Sequence, residues 1–245
     1  MSRQTFSLGR LFDVRVGVHI SWFAVYAFMT FALAHGLTML PRGEAYVLGA
    51  LCALALFASV VVHELAHALV ARRFGVRTDA ITLFLFGGVA TLVEEPRTPF
   101  ADACVALAGP AASAALAFAA FGALSAVERL VPGTAGGAAG FVGAYLVLAN
   151  AVLAAFNLLP AYPMDGGRIL RAYVWHARRD RAAATMLASR IGIIFALAFV
   201  AAGCGYAIAQ RHPMYLWYAV LGVFLAGQGF AQERFARRSR RAVTV

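Results

Sequence analysis

Six long stretches almost free of charged side chains organise this 245-residue sequence and restrict it to folds that can live in lipid. No Asp, Glu, Lys or Arg lies between Arg15 and Arg42, and only Glu64 interrupts the run from Glu44 to Arg72. Further gaps run from Asp102 to Glu128, Arg129 to Asp165, Arg190 to Arg211 and Arg211 to Glu233. A helix needs about 20 apolar residues to cross the ~30 Å hydrocarbon layer, and each gap is long enough. The expectation is an all-α membrane protein with six transmembrane helices over about 18–40, 45–72, 103–127, 140–163, 191–210 and 213–233. They would form a single membrane-embedded domain over residues 1–245.

Composition agrees. The chain is 62% hydrophobic and 13% charged, against roughly 45–50% and about 25% in soluble domains. Disordered, disulfide-stapled and collagen-like classes are excluded, and a soluble enzyme would lack the polar residues to cover its surface. Residues 79–94 differ from the long gaps. Ala80–Val93 is too short to span as a helix and is rich in β-branched and aromatic residues around Gly87-Gly88. It reads as a short membrane-associated β-hairpin between the second and third helices.

Every basic residue is Arg. Of the 21, 18 lie at the two ends of the chain or on the second and fourth connections; only Arg42, Arg129 and Arg211 lie elsewhere. This asymmetry places both termini in the cytoplasm. The net charge of +10 is then a topology signal and a contact with anionic headgroups, so no nucleic-acid partner is expected. The first apolar stretch is longer than a signal-peptide core, which argues against cleavage. Nothing after the sixth span is long enough for a second domain. Cys52, Cys104 and Cys204 are scattered and odd in number, which favours core packing over chemistry. His19, His35, His176 and His212, with Trp22, Trp175, Tyr215, Trp217 and Tyr218, fit the membrane interface.

One charged residue sits squarely inside an expected span: Glu64, within His63-Glu64-Leu65-Ala66-His67. Ionisable groups in spans are costly and mark functional sites by default. Four residues apart on a helix, His63 and His67 share a face and can hold one metal, with Glu64 beside it as a proton acceptor. A catalytic zinc ion takes three protein ligands and keeps a position for water. The second and fourth helices run the same way, so Asp165, after Asn157-Leu158-Leu159-Pro160-Ala161-Tyr162-Pro163-Met164, arrives at a similar cytoplasmic depth. Asp165-Gly166-Gly167 reads either as a surface turn or as the missing ligand. Asn157 reads either as a packing hydrogen bond or as a donor towards a substrate carbonyl.

Together, His63-Glu64-x-x-His67, Phe86-Gly87-Gly88-Val89-Ala90, Ala108-Gly109-Pro110 and Asn157-x-x-Pro160-x-x-Pro163-x-Asp165-Gly166-Gly167-Arg168 resemble the site-2 protease family of intramembrane zinc metalloproteases. Val16–Trp22 is similar to that family's approach to its first helix, and the likeness runs along essentially the whole chain. The absence of PDZ and CBS insertions suggests a minimal member. The resemblance implies one Zn2+ ion on His63, His67 and Asp165, Glu64 as general base, and Asn157 as a possible oxyanion or substrate-orienting donor. Phe86, Gly87 and Gly88 are candidate substrate-binding residues, since the apolar strands could pair with an unwound transmembrane substrate; a simple plug at the cytoplasmic face is the other reading. The implied substrates are membrane-tethered factors such as anti-sigma factors or transcriptional regulators, and the implied location is a prokaryotic cell membrane. A transition-metal transporter and a non-catalytic metal-binding membrane protein are the competing classes. Transport sites tend to sit near the midplane on paired repeats, and no repeat is visible here.

Overall fold

Alternation in Val14-Arg15-Val16-Gly17-Val18-His19 makes a strand before any helix begins, burying Val14, Val16 and Val18 on one side. The computed structural model describes residues 5–85, 87–92, 94–130 and 134–243. In chain order, β1 (Thr5–Leu11) and β2 (Val14–His19) precede α1 (Ser21–Gly36) and α2 (Arg42–Arg73). Then come β3 (Thr78–Phe84), β4 (Gly87–Leu92), α3 (Pro99–Leu130), α4 (Thr134–Asn157), α5 (Asp165–Arg178) and α6 (Arg181–Ala209). A 3-10 turn at Pro213–Tyr215 leads into α7 (Leu216–Val243). The described residues fall into two compact units. One gathers the chain up to Glu95 with Ala108–Ala155; the other gathers Pro96–Leu107 with Phe156 onward.

The first unit holds a four-stranded sheet in the order β1-β2-β3-β4. Phe12 and Asp13 close the β1–β2 hairpin at φ 49° and 68°, as a two-residue turn with left-handed geometry requires. β2 then pairs in parallel with β3, from Arg15↔Ala80 to Val18↔Leu83, and β3 pairs antiparallel with β4. The hairpin expected over 79–94 thus appears as β3 and β4, which form half of a larger sheet. Val16–Trp22, read as the approach to the first helix, is the end of β2 followed by the start of α1. Inside the unit, Val18, Phe57, Val60 and Leu83 form a buried cluster flanked by Trp22 and Tyr26, whose rings stack at 5.1 Å.

Among the described residues, five helices are long and apolar enough to cross a membrane: Arg42–Arg73, Pro99–Ala126, Gly137–Asn157, Arg181–Ala209 and Pro213–Arg240. The first expected span corresponds to α1, an apolar helix of only 16 residues. Large apolar side chains stand exposed along the long helices, among them Phe118, Leu148, Ile194, Ile208 and Val223. Patches of that extent on a soluble surface would aggregate; here they suit a hydrocarbon solvent.

The fourth expected span, 140–163, stops earlier than anticipated. α4 ends at Asn157, and Leu158–Met164 is non-helical because Pro160 and Pro163 remove backbone donors. The connection after it contains the 14-residue helix α5. In the second unit Ala161, Met164, Ala196, Leu225 and Ala226 form the core. α6 and α7 approach closely at Gly203 and Gly222, where an added Cβ would meet the facing backbone.

Candidate metal centre

In the first unit, α2 carries the His-Glu-x-x-His segment in its C-terminal third. His63 and His67 are buried and their ring centroids lie 4.9 Å apart, as one helical turn between them dictates. Ser113 on α3 places its Oγ 2.9 Å from His63 Nδ1. One turn earlier on α3, Gly109 faces both rings. A Cβ at Gly109 would run into Nε2 of His63 and Nε2 of His67 together, so the two nitrogens bracket a space that only a hydrogen side chain leaves open. Two convergent imidazole nitrogens with a cleared approach suit a borderline metal such as zinc.

Glu64 is half-buried beside this pair. Gly88 of β4 closes on it: a Cβ there would come 2.8 Å from Glu64 Cγ and 3.1 Å from Val60 Cγ1. The edge strand therefore passes over the carboxylate-bearing face of α2. Gly87, the other described member of the pair, has φ 123°, a backbone conformation that favours glycine. Phe86 lies outside the described residues.

In the second unit, Asp165 is the first residue of α5 and is buried. An acidic side chain in the first turn meets the positive end of the helix dipole, a stabilising arrangement. Gly166 and Gly167 form the rest of the first turn. They let the preceding loop fold back so that the backbone at Leu158 and Leu159 touches Gly166 and the backbone at Ala161 and Tyr162 touches Gly167. The loop is clamped from α6 as well, where Gly192 receives the Tyr162 carbonyl and the Ala188 carbonyl accepts from the Tyr162 N–H at 3.3 Å. Asn157, the last residue of α4, is half-buried.

α5 is held by a buried ion pair absent from the sequence reading. Arg171 donates through Nε (2.9 Å) and a terminal nitrogen (2.8 Å) to the two carboxylate oxygens of Asp102, while Arg168 adds a third contact at 3.3 Å. Asp102 is fully buried. Arg171 thus serves packing as well as counting towards the Arg asymmetry. Ser113, Gly109, Asp102 and a buried hydrogen bond from Asn150 to Ser59 (3.0 Å) are the structural neighbours that sequence reasoning missed as partners. A single Ser or Asn in an apolar helix carries no periodic signal. The paired charges of Asp102 and Arg171 are too far apart in sequence to suggest each other.

The sequence profile of peptidase family M50 matches residues 51–132 and 134–199, a stretch that includes both the histidine pair and the Asp165 loop. The chain belongs to peptidase family M50. A Synechocystis relative named as a zinc metalloprotease is 37% identical to this M50 chain over 234 residues, covering 94% of the chain and 60% of the relative. The zinc metalloprotease Rip3 named in Mycobacterium tuberculosis is 40% identical over 239 residues, covering 94% and 59%. The M50 chain thus spans about 60% of the length of the curated relatives it matches. Among solved structures, the site-2 protease from Methanocaldococcus jannaschii superposes with a TM-score of 0.64 at 25% identity, covering 94% of this chain and 95% of that one. The resemblance read from the motifs is therefore borne out.

Proposed function

We propose that this chain is an intramembrane zinc metalloprotease that hydrolyses peptide bonds within transmembrane segments of membrane-tethered substrates. The observation that carries the reading is the pair of histidine Nε2 atoms bracketing the space above Gly109, with Glu64 next to them under β4. Family membership and the names of the relatives support it.

In this reading His63, His67 and Asp165 hold the ion; each is buried and offers one ligand atom. Zinc, when bound, supplies Lewis acidity that polarises a peptide carbonyl and makes water nucleophilic near neutral pH. Glu64 takes the proton of the attacking water and returns it to the departing amine. Asn157 donates an amide hydrogen bond to the carbonyl oxygen as it gains charge.

A substrate helix hides its carbonyls in its own hydrogen bonds and must unwind. β3 already has β2 and β4 on its two sides, whereas β4 is an edge of the sheet. An unwound substrate segment adds to β4, with Gly87 and Gly88 at its start and Phe86 as a further candidate contact, by β-augmentation. Pro substitutions along β4 are expected to lower cleavage of a transmembrane substrate without loss of zinc, and unchanged cleavage would remove the proposal.

Six apolar helices cross the membrane in this reading: α1, α2, α3, α4, α6 and α7. α5 lies along the surface, both termini are cytoplasmic on the Arg asymmetry, and the site opens near the cytoplasmic face of a prokaryotic cell membrane. The test uses purified protein, a transmembrane peptide, a chelator control and Glu64→Gln. The expected result is a variant that retains zinc and loses cleavage. Cleavage at the wild-type rate would overturn the mechanism, and transport of metal without cleavage by the wild type would favour a transporter.

A further inference from the structure

We propose that the cleft between the end of α2 and the β1–β2 turn holds the phosphate of an anionic phospholipid, with Arg72 and Arg77 as its charged donors. The inference rests on the chain being an integral membrane protein and asks nothing of the metal centre. The cleft lies wholly in the first unit and has a volume of about 480 Å³, within the roughly 300–1,000 Å³ of small-molecule sites. Val14, Ala68 and Val76 are buried and give it an apolar floor, while Arg72, Arg77 and Asp13 supply the charge.

Charge decides what fits. Arg72 donates to the Phe12 carbonyl at 3.3 Å and lies 3.5 Å from a carboxylate oxygen of Asp13, so one guanidinium is partly engaged. Arg77 is exposed and forms no hydrogen bond or ion pair among the described residues. Asp79, the next acid along β3, is taken up by Arg15 at 2.6 Å. Two guanidiniums against one carboxylate leave the cleft net positive, which favours a headgroup of net negative charge. The carbonyl end of a helix opposes an anion. Here, though, the carbonyls of Ala71 and Arg72 already accept from the N–H groups of Phe74, Gly75 and Val76 at 3.0–3.1 Å. Position decides the source. α2 is long and apolar enough to cross a membrane, and its last residues are Arg72 and Arg73, so the cleft lies where a span leaves the hydrocarbon. Phe12 at the rim and its neighbour Leu11 are exposed, which suits acyl chains better than open water. Each Arg near such a surface strengthens the hold on an anionic lipid by roughly fivefold.

The experiment titrates the purified full chain in neutral detergent with dioleoyl phosphatidylglycerol or dioleoyl phosphatidylcholine and counts retained lipid by native mass spectrometry. One phosphatidylglycerol per chain is expected to bind in preference to phosphatidylcholine. Arg77→Gln is expected to weaken that binding roughly fivefold. Arg73→Gln, the same change of charge outside the cleft, is expected to leave it unaltered. Asp13→Asn should tighten it, because the opposing carboxylate is gone and Arg72 is released; Asn tolerates the left-handed φ of 68° at this turn. Equal losses in Arg73→Gln and Arg77→Gln would indicate a diffuse basic surface and overturn the proposal. Equal retention of the two lipids would overturn it too, since no anion is then selected. Glycerol 3-phosphate, which carries the phosphate without acyl chains, should not displace the lipid at equal concentration; displacement would identify a soluble phosphate ester as the ligand and overturn the lipid assignment. If Arg77→Gln fails to fold, Asp13→Asn decides alone, and wild-type affinity for phosphatidylglycerol in that variant overturns the proposal.

Discussion

Gly88 on β4 lies so close to Glu64 on α2 that a methyl group added to the glycine would come 2.8 Å from Glu64 Cγ. The edge strand and the proposed general base thus share one contact. Gly88→Ala is expected to displace the Glu64 carboxylate while leaving both histidines in place. A small misplacement of a catalytic group can cost about a hundredfold in rate, so kcat should fall by roughly ten- to a hundredfold at constant zinc content. Peptide cleavage measured beside metal analysis checks this, and a variant with wild-type kcat would show that the contact is incidental.

Gly109→Ala has effects of opposite sign on helix and site. Within a helix interior Ala is favoured over Gly by about 1 kcal/mol, so α3 itself should not suffer. Yet the added methyl would occupy the space bracketed by the two Nε2 atoms. Zinc binding is expected to be lost with helical content retained, as circular dichroism and metal analysis together would record.

Gly192→Ala acts at a distance from the chemistry. Its Cβ would collide with the Tyr162 carbonyl, which belongs to the loop leading into Asp165 and cannot yield as a side-chain tip would. Overpacking of this kind costs typically about 1–3 kcal/mol. The expected outcome is a lower melting temperature with weaker zinc binding, measured by thermal unfolding with and without metal. Unchanged metal affinity would dissociate the loop from the site.

Asp102→Asn leaves Arg171 without its charged partner in a buried setting. Breaking a buried ion pair from one side costs about 3–5 kcal/mol, whereas replacing both partners by packed apolar groups is often neutral. Asp102→Asn and Arg171→Met singly should therefore destabilise more than the double change Asp102→Leu with Arg171→Met. Thermal unfolding of the three variants tests that order.

The histidine pair was legible because its information is local: four residues of helix put His63 and His67 on one face whatever surrounds them. The apolar gaps were legible for the same reason, since crossing a bilayer depends on one segment's length and composition. β2 was legible in principle from the alternation of Val14, Val16 and Val18, but the charge-free run that follows dominated the reading. α5 was hidden by Gly166 and Gly167, which ordinarily break helices. Here they are required because the backbone of Leu158–Tyr162 folds against the first turn. The neighbours Ser113 and Asp102 were beyond reach, since their partners lie 50 and 69 residues away.

The parallel pairing of Arg15–Val18 with Ala80–Leu83 imposes an order of assembly. Both α1 and α2 lie between these strands, so the sheet cannot close until two helices have been synthesised. Loop closure over that length makes the pairing a late, slow step. β4, which touches Glu64, emerges later still. A growing chain thus carries its histidines and its proposed base well before the strand proposed to receive substrate exists, and in the proposed mechanism proteolysis must wait later still, until Asp165 has been made.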